Sequence, residues 1–169
     1  MTVANILKLL HILAAFALVA GEVGRMIVLQ RAKKASDLKI VAEMLQLSMF
    51  FTTKLVSPGG LIAVLLGLVT AGAQAKNGAP AYILGFLMGG QINWPLASLV
   101  LYVIIMVLVF SIVVPRSKAM GQALGAAMKK GEITPELTTA MNDQTLNTSF
   151  IIQDILLILI VVLMVLKPF

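Results

Sequence analysis

His11, Glu22 and Arg25 stand inside one apolar run, residues 7–28, and that placement singles them out. An ionisable side chain within a membrane segment costs about 2.5–3.5 kcal/mol on insertion scales, so by default it faces protein or water and marks a function. At about 100° per helical residue, Glu22 falls within roughly 20° of His11, and Arg25 roughly 40° to the other side. Ala14 and Ala15 continue this stripe, while Ile, Leu, Phe and Val occupy the rest of the helix. The striped face is expected to point into a helix bundle.

Two more charges, Lys54 and Asp154, lie inside later apolar runs. Counting about 1.5 Å per residue puts Glu22, Arg25, Lys54 and Asp154 in the same third of the bilayer. Two acids and two bases at one depth can neutralise one another, which is how buried charges survive. One reading is an ion-pair network that fixes helix register; the other is a proton or ion relay. His11 lies in the opposite half, with Lys8 one turn further out. An imidazole there can ligate haem iron or copper, or serve as a hydrogen-bonded bundle residue. It is the only histidine, so two-histidine haem ligation within one copy is excluded. Histidine–methionine ligation with Met88, Met106 or Met164, five-coordinate haem, or a site shared across a dimer remain.

The elements that must position these residues follow from composition. The 169-residue chain is 60% hydrophobic and 12% charged, with mean hydropathy +1.02; soluble domains are about 25% charged. One integral membrane domain, residues 1–169, is expected. The chain has no cysteine, which removes disulfides, thiolate metal sites, iron–sulfur clusters and c-type haem. No serine-nucleophile motif, phosphate loop or zinc motif is present, and no metal site is assigned. The formal charge is +6; in a membrane chain it sets orientation or meets anionic lipid, and no nucleic-acid partner is expected.

Four spans are read at about 5–28, 50–72, 95–114 and 148–166. The first is a permanent helix rather than a signal peptide, because its apolar run continues past Glu22. A polar link, 30–37, leads to an amphipathic stretch, 38–51, that passes into the second span. Pro58 predicts a kink or break near Ser57. Residues 72–94 read as an interfacial or re-entrant piece with Trp94 at the headgroups. Pro95 suits the first turn of the third span, and Pro115 is expected to end it. Residues 116–130 read as a basic amphipathic helix capped by Gly131. Thr134 and Pro135 open another helix, read as running straight into the fourth span. Arg31, Lys33, Lys34 and Lys39 in one link, and Arg116, Lys118, Lys129 and Lys130 in the other, place both links in the cytoplasm and both termini outside.

A pattern runs through these spans: Leu10-His11-Ile12-Leu13 followed by Gly21, then Lys54 with Pro58-Gly59 opening a run to Gly67, and a terminal Leu163-Met164-Val165-Leu166-Lys167-Pro168. It resembles an uncharacterised family of small bacterial four-span membrane proteins. It is similar in layout to the copper-resistance protein D membrane domain and to the four-helix bacterial protoporphyrinogen oxidase. The resemblance implies a four-helix bundle in the bacterial inner membrane, with haem b bound through His11. Leu18 stands near where the oxidase-like relatives carry a tryptophan.

The sequence thus predicts an all-α, transmembrane four-helix bundle with amphipathic cytoplasmic linking helices. Its leading function is a haem-associated, redox-linked role for His11. The alternatives are a non-catalytic accessory subunit of a larger membrane complex, and a small ion- or proton-coupled transporter using Glu22, Lys54 and Asp154. Expected partners are the lipid bilayer and further copies or other membrane subunits.

Overall fold

In a computed structural model, which describes residues 3–74 and 93–167, the first apolar run forms α1 (Val3–Lys34). At 32 residues α1 is about 48 Å long, well beyond the roughly 30 Å hydrocarbon layer. Its basic end therefore projects out of the membrane. After a short link, Asp37 accepts from the Lys39 backbone N–H and caps α2 (Leu38–Phe51). α2 continues through a π-helical turn, Thr52–Val56, into α3 (Ser57–Gln74). α4 (Trp94–Leu108) opens on the Asn93 side-chain cap with Pro95 in its first turn. It passes through a second π turn, Val109–Val113, into α5 (Val114–Lys130). Gly131 closes α5 at φ 75°, a left-handed conformation that suits glycine. Thr134 caps α6 (Pro135–Met141), and Asp143 caps α7 (Gln144–Leu166).

Among the described residues four apolar helical runs are long enough to cross a membrane, and the all-α bundle class is as the sequence predicts. Phe16, Val107, Phe110 and Ile158 are each more than half exposed. In water such a surface would be a sticky patch; in lipid it is the solvated face.

The helices fall into two antiparallel pairs. In the first, α1 packs along α2 and α3. Gly21 meets Leu55 and Val56, Gly24 meets the Phe51 ring, and Gly59 lies against the backbone of Ala14 and Leu18. These glycines let the helices approach closely. In the second pair, α4 packs along α7, and Lys167 Nζ lies 5.6 Å from the centre of the Trp94 ring. Beyond the basic end of the bundle the helices build a small head. Leu29, Ala32, Val41, Leu45, Ala127, Leu137 and Met141 form its buried core. There Lys33 donates to Asn147 at 2.7 Å, and Arg116 pairs with Asp143. Arg116 and then the Leu146 N–H, as donors to Asp143, hold its carboxyl below the usual carboxylate range.

Three expectations are corrected. Pro115 does not end the third helix, which runs unbroken to Lys130. Pro58 does not break the second; its distortion lies upstream, as a π turn. In both helices the π turn ends two residues before the proline. The Ser57 N–H bonds to the Thr52 carbonyl, and that of Val114 to the Val109 carbonyl. A proline ring clashes with the carbonyl four residues back; the wider turn moves that carbonyl aside and keeps the helix continuous. The third correction is at Asn142–Asp143, where α6 stops and Asp143 starts α7, so α6 does not run straight into the last span. The interfacial piece read for 72–94 lies mostly outside the described residues, which resume at Asn93; α3 extends to Gln74.

Candidate functional site

Two polar sites lie along α1. Eleven residues separate His11 from Glu22, about 16 Å along the axis.

The first site is His11, 9% exposed, at the seam of α1 and α3. Its Nδ1 lies 2.7 Å from the Ala63 carbonyl oxygen. A carbonyl only accepts, so Nδ1 carries a proton, and in the neutral imidazole Nε2 is then the atom with the free lone pair. Nε2 is buried and has no hydrogen-bond partner among the described residues. Gly67 makes room for the ring: a Cβ there would sit 3.0 Å from Cε1 and 3.4 Å from Nδ1. Lys8, one turn further out, is exposed.

The second site centres on Glu22 and Arg25, 3% and 5% exposed. Arg25 Nε donates to Glu22 Oε2 at 3.0 Å, and its Nη2 donates to the same oxygen. The guanidinium lies over the Phe150 ring, 3.8 Å from its centre, a cation–π contact that holds it on α7. Gln153 Nε2 donates to Glu22 Oε1 at 2.6 Å. Both Glu22 oxygens are thus satisfied, whereas the buried Gln153 Oε1 has no partner among the described residues. Asp154 is half-buried and near enough for its charge to act on Glu22 and Arg25.

Of the four charges grouped by depth, three come together. Lys54 lies at the level of Glu22, since its neighbour Leu55 packs on Gly21. Leu55 and Val56 take the face toward α1, and Lys54 is exposed. Among the described residues it makes no ion pair; the two present are Arg25–Glu22 and Arg116–Asp143. Gln153, which carries no charge, is the further polar partner in this site.

Both π turns sit beside this site. Thr52–Val56 faces Gly21. Seventeen residues separate Trp94 from Ser111, and as many separate Lys167 from Phe150; this puts Val109–Val113 at the Phe150 level. Isolated π turns recur at functional sites.

Between α3 and α4 an open apolar groove of about 630 Å³ is lined by Val64, Leu99, Tyr102, Met106 and Phe110 among others. His11 is not among its lining residues. Met164 is half-buried on α7, and Met88 is outside the described residues. Among the described residues no group of three or more His, Cys, Asp or Glu side chains is placed to hold a metal ion.

A family described as predicted integral membrane protein, DUF2269, matches residues 5–168. The chain belongs to this family. The DUF2269 match spans all four apolar helices and both polar sites. No curated protein and no solved structure matches the chain.

Proposed function

We propose that this DUF2269 protein is a haem-associated, redox-linked membrane protein in which His11 would hold the iron of haem b. The observation that carries this reading is the unpartnered, buried Nε2. A ligating imidazole typically donates its other N–H to a carbonyl or carboxylate, which fixes the tautomer and raises ligand basicity; the Ala63 carbonyl does this to Nδ1. The donor atom therefore fits the group. Haem b, when bound, supplies one-electron transfer. The chain's own part is to orient the imidazole through Ala63, to leave it space at Gly67, and to exclude water. Nε2 is enclosed, so porphyrin entry requires the side chains that cover it to move. By the same proposal the protein sits in the bacterial inner membrane with both termini outside.

The test is the absorption spectrum of protein purified in mild detergent from haem-supplied cells, wild type beside His11→Ala. The expected result is a Soret band in the wild type that the variant lacks while retaining its helical circular dichroism. A colourless wild-type protein would remove the reading.

The groove between α3 and α4 favours a second reading, a non-catalytic subunit of a larger membrane assembly. Its apolar lining would then receive a helix of another copy or another subunit. That role predicts a colourless protein that co-purifies with a stoichiometric partner.

A further inference from the structure

We propose that Glu22, Gln153 and Asp154 form a binding site for one monovalent cation, a proton or a sodium ion, between α1 and α7. The inference concerns the second polar site and does not depend on His11.

The charge count comes first. Glu22 and Asp154 contribute two carboxylates, and Arg25 contributes one guanidinium. One negative charge is left over at membrane depth, where an uncompensated charge is costly. The surrounding elements do not cancel it. Lys54, on the second helix, is turned outward. At this level the second π turn, Val109–Val113, is VFSIV and has no charged residue.

The second observation is the orphaned acceptor. Gln153 is 7% exposed and its Nε2 is committed to Glu22. Its Oε1, on the same amide group, is buried beside the carboxylate with nothing among the described residues to donate to it. A buried acceptor without a donor costs about 1–3 kcal/mol. A cation removes both costs, because it supplies the missing positive charge and an electrophile for Oε1.

The ligand set selects the kind of cation. Carboxylate and amide oxygens are hard donors suited to hydrogen or alkali ions rather than to soft metals. Two carboxylates already offset by Arg25 leave a single charge to balance, which suits a monovalent ion. Glu22 has all its donors and acts as the fixed anchor. Asp154, half-buried and with no hydrogen bond among the described residues, is the side that exchanges.

The full-length protein in nanodiscs of neutral lipid tests this. Its unfolding midpoint is followed as sodium chloride replaces choline chloride at constant ionic strength. In parallel, the infrared carboxylic-acid band is recorded across a pH titration, with wild type and Asp154→Asn side by side. A sodium site raises the wild-type midpoint by roughly 2–5 °C per tenfold sodium above its dissociation constant, and Asp154→Asn loses that rise. A proton site gives no sodium response but shows a carboxylic-acid band that grows on acidification and is missing from Asp154→Asn. If that variant does not fold, aspartate-specific isotope labelling of the wild type assigns the band. No sodium response and no titrating aspartate band would overturn the proposal.

Discussion

Gln153 of α7 donates to Glu22 of α1 across 2.6 Å, and this bond joins the two helix pairs inside the membrane. Close backbone packing is concentrated within each pair, α1 with α2–α3 and α4 with α7. Between the pairs, polar side chains and the head hold the molecule together. Within the spans, the described polar links from α1 to α7 are the Gln153 bond and the Arg25–Phe150 contact.

Removing one partner of this buried group should be expensive. Arg25→Leu leaves the Glu22 carboxyl buried and stripped of its ion pair, and a broken buried pair costs about 3–5 kcal/mol. Reversible unfolding in mixed micelles should show a loss of that size. Gln153→Leu should cost less, about 1.5–3 kcal/mol, the range for one hydrogen bond to a charged group. If Arg25→Leu were neutral, neither the ion pair within α1 nor the Arg25–Phe150 contact to α7 would be stabilising this seam.

The glycines make opposite predictions according to what surrounds them. A Cβ at Gly59 would lie 3.0 Å from the Leu18 nitrogen and 3.1 Å from the Ala14 oxygen. Backbone cannot swing aside, so Gly59→Ala must push α1 from α3, costing about 1–3 kcal/mol as overpacking does. Gly121, inside α5, has nothing within 4 Å of a Cβ. Gly121→Ala should therefore stabilise by about 0.5–1 kcal/mol through helix propensity. Parallel thermal melts decide both signs.

The head should behave like a soluble core. Leu137 is fully buried there with Val41 and Leu146. Leu137→Ala should cost about 2–5 kcal/mol and should raise amide exchange first in α5 and α6, ahead of the spans.

The Arg116–Asp143 pair gives a pH signature. Asp143 titrates below its ordinary value of 3.8, chiefly because Arg116 donates to it. A carboxylate depressed on folding stabilises fully above its unfolded pKa and loses that contribution as pH falls through the folded one. The melting difference between wild type and Asp143→Asn should be constant near neutrality and vanish in acid. The pair is solvent-exposed, so added salt should shrink the difference as well.

Much of this fold is legible in the amino-acid sequence. Four apolar runs, Gly131 as a left-handed cap, and Thr134 and Pro95 at helix starts all follow from local chemistry that tertiary context does not override. The stripe of His11, Glu22 and Arg25 was legible too, because α1 is one unbroken helix and its angular phase holds from end to end. Lys54 was not legible. It lies in a π turn, where an extra residue shifts the phase by about 100°, so a helical wheel cannot aim it. Pro115 misled for a related reason: proline removes a donor and crowds a carbonyl, but the sequence does not say whether the helix breaks or widens. Gln153 carries no charge, so its part emerges only when its amide is seen against Glu22.

Whether His11 Nε2 holds haem iron, as proposed, is read most directly from the reduced-minus-oxidised difference spectrum of haem-loaded protein. Wild type, His11→Gly and His11→Gly with added imidazole are compared. The expected result is a difference band in the wild type, its loss in the variant, and its return when free imidazole fills the space beside Ala63 and Gly67. An unchanged band in His11→Gly would contradict it, as would a wild-type protein that takes up no haem.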